Sequence, residues 1–194
     1  ASPDPASRYP APKWAPVGGW QVDPALAYAH TLQESAFRDT AVSPADARGL
    51  MQITPITVRE FDPRLGLTAR DVNIFDPGTN LAFGQQNLEM LRDSAATQGE
   101  LPKIIAAYNA GLTPVTRWNT QVNDQDDPLL YMESIPYWET RSYVATVMRN
   151  YWMYERQAKA PSASRVALAQ NAWPMFPAAS RDQSGRVFLS ADRN

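Results

Sequence analysis

Glu34 is the residue in this sequence that is best placed to do acid-base chemistry. The chain has no cysteine and a single histidine, so thiol nucleophiles, zinc-thiolate sites and histidine-based triads have little support. Carboxylates remain as the groups that can give and take protons. A glutamic acid acts as a general acid near neutral pH only if burial raises its pKa, and the end of a buried helix offers that setting.

Three later stretches are expected to converge on Glu34. They are residues 49–55 (GLMQITP), 107–111 (AYNAG) and 133–141 (ESIPYWETR). Tyr108 and Asn109 end a short apolar stretch where a phenol and an amide can face a cleft, although buried structural roles are an equal alternative. Gln52 and Thr54 can present donors on one side of an extended segment, with backbone capping as the alternative.

Each of these residues can also be explained by a purely structural role. On pattern alone, Glu34 is as well explained by an N-cap or an ion pair as by catalysis. His30 precedes it by one helical turn, but a protonated imidazole there would oppose an acid role, so we interpret His30 as a packed core residue. Glu133 and Arg141 are interpreted as parts of an ion-pair network with Glu139. Tyrosines and tryptophans are frequent enough to line a sugar groove, yet most tryptophans are core.

The elements that must position these side chains are mainly helices. Asp-Pro, Thr-Pro and Leu-Pro starts predict helices over about 24–38, 54–61, 76–97, 101–110 and 113–118. A last helix over about 137–157 is predicted from an apolar face formed by Val144, Val147, Met148 and Tyr151. Asp62-Pro63 is expected to close the second helix. The first helix is apolar around most of its circumference and should be buried. Gly84, inside the third, indicates close approach of a neighbouring element. Strand signals are weak, so at most a very small β element is expected.

Composition limits the domain organisation and the partners. The 194 residues are 44% hydrophobic, enough for one compact domain, which we place at 22–157. Residues 1–21 are predicted to form an extended Pro/Gly-rich arm that packs through Trp14 and Trp20. Residues 158–194 are predicted to form a loosely ordered tail, with packing on the domain as an open alternative. A net charge of −2 argues against nucleic acid and anionic membranes, and no apolar run reaches the roughly 18 residues of a membrane span.

Taken together, the motifs resemble the soluble lytic transglycosylase family, which has a goose-type-lysozyme-like catalytic domain. The shared features are Glu34-Ser35, Ser43-Pro44, residues 47–52 (ARGLMQ), Asn80 with Gly84, residues 107–111, and the pattern E-x-I-P-x-x-E-T-R-x-Y-V at 133–144. Their order and spacing are similar to those of the family over about residues 22–157. The arm pattern Y-P-x-P-x-W at 9–14 also resembles the segment that leads into this domain in longer members.

The resemblance implies a lysozyme-like, mainly α fold of the α+β superfamily, with a cleft for peptidoglycan strands and no cofactor or metal. By that resemblance, Glu34 protonates the bond between N-acetylmuramic acid and N-acetylglucosamine, then takes a proton from the muramoyl C6 hydroxyl, which attacks C1. A 1,6-anhydromuramoyl end forms without water. Ordinary glycosidases use two carboxylates; the resemblance implies that the substrate's acetamido group replaces the second. The matching cleft positions are Ser43, Gln52, Thr54, Tyr108, Asn109 and Glu139.

The resemblance also implies a periplasmic protein, with the signal peptide absent from this sequence and cell-wall machinery as an unidentified partner. Asp46 stands where the family usually has glycine, Thr54 where several members have methionine, and Asn87 where tyrosine is frequent. These departures bear on the shape of the cleft. The alternatives to a transglycosylase are a hydrolytic muramidase, a non-catalytic peptidoglycan-binding module and a structural assembly factor.

Overall fold

The computed structural model describes residues 8–65 and 72–178. Its helices are α1 (Pro24–Ser35), α2 (Pro55–Leu65), α3 (Pro77–Arg92), α4 (Leu101–Ala110), α5 (Leu112–Gln121), α6 (Pro128–Ser134), α7 (Trp138–Gln157) and α8 (Ala163–Ala169). Within these residues, β structure consists of isolated bridges, at Val42 with Arg48, Arg48 with Ile53, and Glu100 with Met175. The predicted mainly α fold is therefore confirmed.

Most helices begin where the sequence predicts, because the start signals are local. The Asp23 side chain accepts a hydrogen bond from the Ala25 N–H at 2.9 Å and caps α1, with proline at the first helical position. Asp127 and Pro128 repeat this arrangement at α6. The described residues form two compact units, one ending at Asn87 and the other running from Leu88 to Ala178.

In the first unit, α1 is a central helix, as predicted. Its residues from Pro24 to Thr31 are all buried. The preceding arm packs on it, since the Tyr28 hydroxyl donates to the carbonyls of Pro12 and Trp14. The Tyr28 ring also contacts Trp20, with ring centroids 5.7 Å apart. The predicted packing of the arm is confirmed for the described residues 8–21, while residues 1–7 lie outside them.

A tight loop follows α1 and is held by α3. Gly84 on α3 faces Met51, and a Cβ at position 84 would overlap the Met51 sulfur. The close approach predicted from this glycine is confirmed. Backbone hydrogen bonds within residues 42–53 fold the loop on itself, and they include reciprocal bonds between Arg48 and Ile53 at 2.9 and 3.0 Å.

The second unit is built around α4, whose residues from Leu101 to Ala107 are all buried. Helix α4 packs against α5 and α7, and α6 packs against α7. Trp118 and Tyr131 contribute large buried side chains. The end of the described chain returns to the start of α4, where the Leu101 N–H donates to the Pro174 carbonyl at 2.7 Å and Glu100 pairs with Met175.

The structure corrects several predicted boundaries. Helix α2 passes through Asp62-Pro63 instead of ending there, because a proline removes one backbone hydrogen bond but does not always stop a helix. Helix α3 ends at Arg92, five residues before Thr97, and α5 extends to Gln121. Helices α6 and α8 were not predicted. Residues 163–169 are helical, so a loosely ordered tail is wrong for them, and residues 179–194 lie outside the described range. The division into arm, domain and tail stays a prediction.

Candidate functional site

Glu34 lies one residue before the C-terminal end of α1 and is half-buried. The helix ends at Ser35, because Ala36 and Phe37 both have positive φ, at 50° and 61°. Ser35 is buried and its hydroxyl donates to the Thr31 carbonyl at 3.2 Å. Glu34 is therefore held on the last turn of a buried helix, with its side chain at the boundary between core and surface.

His30 is a core residue, as the sequence analysis favoured. It is fully buried, and burial lowers its pKa from 6.5 to about 4, although a hydrogen bond between Nδ1 and the Leu26 carbonyl, at 2.9 Å, acts in the opposite direction. The imidazole is consequently neutral near pH 7. It places no positive charge one turn before Glu34.

The predicted binding residues of the first unit make local backbone contacts. The Gln52 side-chain amide donates to the carbonyls of Gly49 and Ala41, at 2.9 and 3.3 Å, and the residue has a φ of 52°. The Thr54 hydroxyl accepts from the Thr57 N–H at 3.3 Å and so caps α2. These bonds match the capping alternative for both side chains. Substrate binding by Gln52 and Thr54 stays a prediction.

Ser43 and Asp46 shape the turn that precedes this loop. The half-buried Ser43 hydroxyl accepts from the Ala47 N–H at 3.1 Å. Asp46 has a φ of 60°, a conformation that favours glycine and that aspartate tolerates better than most residues. Its carboxylate pairs with Arg48 at 2.8 Å on the surface. Asp46 thus adopts the backbone conformation that suits the glycine expected there from the resemblance.

In the second unit, Asn109 and Glu139 line one open pocket of about 460 Å³. The other lining residues are Ala110, Pro136, Tyr137, Trp138 and Thr140. The Thr140 hydroxyl donates to the Asn109 Oδ1 at 2.7 Å, which ties the start of α7 to the end of α4. Glu139 is exposed in the first turn of α7, where the helix dipole favours a carboxylate.

Tyr108 precedes Asn109 in the last turn of α4 and is half-buried. Arg141, in contrast, does not form the predicted network. Its guanidinium donates twice to the Ile135 carbonyl, at 3.1 and 2.8 Å, and no ion pair joins it to Glu133 or Glu139 within residues 72–178. A carbonyl left without a helical partner at the end of α6 is the better acceptor here. The ion-pair interpretation is wrong.

Sequence reasoning did not single out the aromatic pair Tyr137 and Trp138 as pocket residues. Trp138 is 76% exposed and Tyr137 is 46% exposed. The signal was their position between the proline and the glutamate of the 133–141 motif, directly before a helix start. In the described ranges, no helix is long and apolar enough to span a membrane, and no group of three acidic or histidine side chains is arranged to hold a metal.

Comparison with known proteins identifies the family. A family model described as the transglycosylase SLT domain matches residues 17–130, more than half of the chain. This chain belongs to the transglycosylase SLT family. A putative soluble lytic murein transglycosylase from Haemophilus influenzae is 34% identical over 131 residues, which are 67% of this chain and 22% of that protein. The soluble lytic murein transglycosylase of Escherichia coli K12 is 32% identical over 134 residues, 68% of this chain and 20% of that protein.

Solved structures of SLT-family proteins share the fold. The 70-kDa soluble lytic transglycosylase of Escherichia coli superposes with a TM-score of 0.68 at 27% identity, over 91% of this chain and 27% of that chain. An inactive Glu-to-Gln variant of the lytic transglycosylase Slt from Pseudomonas aeruginosa superposes with a TM-score of 0.65 at 30% identity. The match covers 72% of this chain and 22% of that chain. The lysozyme-like fold expected from the motifs is confirmed. The chain spans about a fifth of the length of these two soluble relatives, from Haemophilus influenzae and Escherichia coli K12.

Proposed function

We propose that this chain is a lytic murein transglycosylase that cuts peptidoglycan without water and leaves 1,6-anhydromuramoyl ends. The observation that carries the proposal is the position of Glu34 within the family match. It is a half-buried carboxyl on the last turn of a buried helix, inside residues 17–130. A carboxyl at such a boundary between core and surface is a candidate general acid.

Glu34 serves as acid and then as base in this proposal. Its proton passes to the glycosidic oxygen as the bond from muramoyl C1 to that oxygen breaks. The resulting carboxylate takes the proton of the muramoyl C6 hydroxyl as O6 bonds to C1. Glu34 gives one proton and takes one back, and no water is consumed, so one carboxyl suffices. The neutral His30 supports this cycle, because a cation one turn away would hold Glu34 ionised.

Ser43, Gln52, Thr54, Tyr108, Asn109 and Glu139 are proposed to bind the glycan. Asn109 and Glu139 carry the strongest support, since both line the pocket of the second unit. For Gln52, the proposal concerns the shape of the loop as much as a direct contact, because its amide nitrogen already donates to two carbonyls. The names of the relatives, soluble and membrane-bound murein transglycosylases, support a bacterial periplasmic location.

The test compares Glu34→Gln with the wild type on purified peptidoglycan sacculi, with released fragments measured by mass spectrometry. Removing the acid and base should lower release at least about a hundredfold. A Glu-to-Gln change in the inactive Pseudomonas relative supports this choice of substitution. The matched control is Glu60→Gln, an exposed acid on α2, which should keep full activity. Equal activity of the Glu34→Gln and wild-type proteins would reject Glu34 as the catalytic group.

A further inference from the structure

The pocket of the second unit has an aromatic rim that the family motif does not account for. Tyr137 and Trp138 occupy the two open positions of the pattern E-x-I-P-x-x-E, and both line the pocket beside Glu139. Trp138 leaves 76% of its surface in water. A large apolar side chain that stays exposed at the edge of a polar pocket indicates a surface that a ligand covers.

The two rings differ in how they are held. Tyr137 packs edge-on against the buried Trp118 ring, with centroids 5.1 Å apart at 85°. Its hydroxyl accepts a hydrogen bond from Arg117 at 3.2 Å. The Trp138 indole, in contrast, makes no hydrogen bond or ring contact within the described part of the chain. The contacts of Tyr137 are therefore made within the protein, whereas the Trp138 ring is accessible to a ligand.

The backbone that carries Trp138 is nonetheless fixed. Trp138 is the first residue of α7, and two residues later the Thr140 hydroxyl is bonded to Asn109. On the other side, Arg141 donates to the Ile135 carbonyl just before the helix begins. An exposed aromatic ring on an anchored backbone loses little conformational freedom when a ligand packs on it.

We propose that Trp138 is a specificity-determining residue that stacks on a sugar ring of the peptidoglycan glycan. A pyranose ring presents C–H groups on its face and hydroxyl groups at its edge. The flat indole matches the face, while the Glu139 carboxylate and the Asn109 amide offer hydrogen bonds to the edge. This inference rests on the proposed function, since it names how that glycan is held.

The chemistry of the pocket favours a sugar over a stem peptide. Glu139 is the charged group among the lining residues. Its negative charge repels the carboxylates of a stem peptide but not N-acetylglucosamine, which is uncharged. The pocket volume of about 460 Å³ also lies in the range of small-molecule sites. Charge and shape thus point to the same occupant.

The test measures the rate on soluble, peptide-free glycan strands as a function of strand concentration. Trp138→Ala should raise KM by about threefold to tenfold and leave kcat nearly unchanged, because stacking holds substrate and transition state alike. Trp138→Phe keeps an aromatic face and should recover most of the loss. Leu129→Ala, which removes another exposed apolar side chain from the same unit, is the matched control and should have no effect.

Three results would overturn the inference: an unchanged KM in Trp138→Ala, an equal loss in Trp138→Phe, or a loss that appears only with peptide-bearing strands. Binding of the same strands to Glu34→Gln protein, by calorimetry, separates this inference from the proposed function. If Trp138→Ala weakens binding in that background while the wild type releases no anhydro ends, the stacking role stands and the enzymatic proposal fails. If Trp138→Ala leaves binding unaltered while the wild type turns over normally, the stacking role fails and the enzymatic proposal stands.

Discussion

The side-chain amide of Asn80 lies against the α-carbon of Gly49, so closely that a Cβ at position 49 would come within 2.9 Å of the Asn80 Cγ. Gly49 also has a φ of 74°, which glycine adopts without strain. The fully buried Asn80 accepts from the Met51 N–H at 2.8 Å and donates to the carbonyls of Arg48 and Ile74 at 2.9 and 2.8 Å. One side chain thus fixes the loop that carries Gln52.

Asn80→Ala should destabilise the protein by about 2–4 kcal/mol, because three backbone groups lose their partner and two of these bonds are buried. Urea unfolding measures this free energy. Asn73→Ala is the control, since the Asn73 side chain accepts one hydrogen bond, from the Phe75 N–H, on the surface. That variant should lose less than about 1 kcal/mol. Equal losses in the two variants would show that Asn80 does not hold the loop.

The contact between Gly84 and Met51 predicts a strongly coupled pair. Alanine at position 84 favours the helix by up to about 1 kcal/mol, but its Cβ would overlap the Met51 side chain. We therefore expect Gly84→Ala to destabilise the wild type by about 1–3 kcal/mol. In a Met51→Ala background the sulfur and the Cε are gone and only the contact with the Cβ of residue 51, at 3.0 Å, remains, so the same change should cost much less. A double-mutant cycle by urea unfolding checks the coupling, and additive effects would contradict the contact.

The buried His30 makes stability dependent on pH in a defined direction. Its folded-state pKa of about 4 lies below the unfolded value of 6.5, so the unfolded chain binds the proton more readily. Stability is complete above the unfolded pKa and falls as the pH decreases towards 4. Between pH 7 and pH 5 the loss from this group amounts to about 2 kcal/mol.

Replacing His30 with glutamine should remove that component of the pH dependence. The measurement is the urea unfolding free energy of both proteins at pH 7 and pH 5, a window chosen because most carboxyls stay ionised there. Even if His30→Gln is less stable at both values, its pH-dependent loss should be smaller by about 2 kcal/mol. Parallel losses in the two proteins would mean that His30 is not buried in its neutral form.

Helix starts were predictable because their signals lie within a few residues of sequence. Asp23-Pro24 and Asp76-Pro77 each mark a start in the structure. Helix ends were less predictable, because tertiary contacts decide them. The buried Thr97, for example, bonds through its hydroxyl to the Leu91 carbonyl, and this tight turn ends α3 early. Helix α6 carries the Asp-Pro signal at 127–128 but is only seven residues long, so its helical periodicity is too short to read from sequence.

In the candidate site, too, the features set by neighbouring residues were predictable and those set by the tertiary fold were not. The capping bond of Thr54 follows from a Thr-Pro pair and was anticipated. The bonds from the Gln52 amide to the carbonyls of Gly49 and Ala41 depend on a positive φ at Gln52. The residue pattern does not predict that φ. The exposure of Trp138 likewise depends on how α7 meets α4, since a tryptophan at a helix start is equally compatible with the core.

The most direct test of the single-carboxyl mechanism is digestion of peptidoglycan by the wild-type chain in heavy-oxygen water, with the fragments analysed by mass spectrometry. A single Glu34 that acts as acid and then as base consumes no water. We therefore predict 1,6-anhydromuramoyl ends that carry no heavy oxygen and that are lost in Glu34→Gln. Reducing muramic acid ends, heavier by one water and labelled at C1, would contradict this mechanism and establish a hydrolytic muramidase.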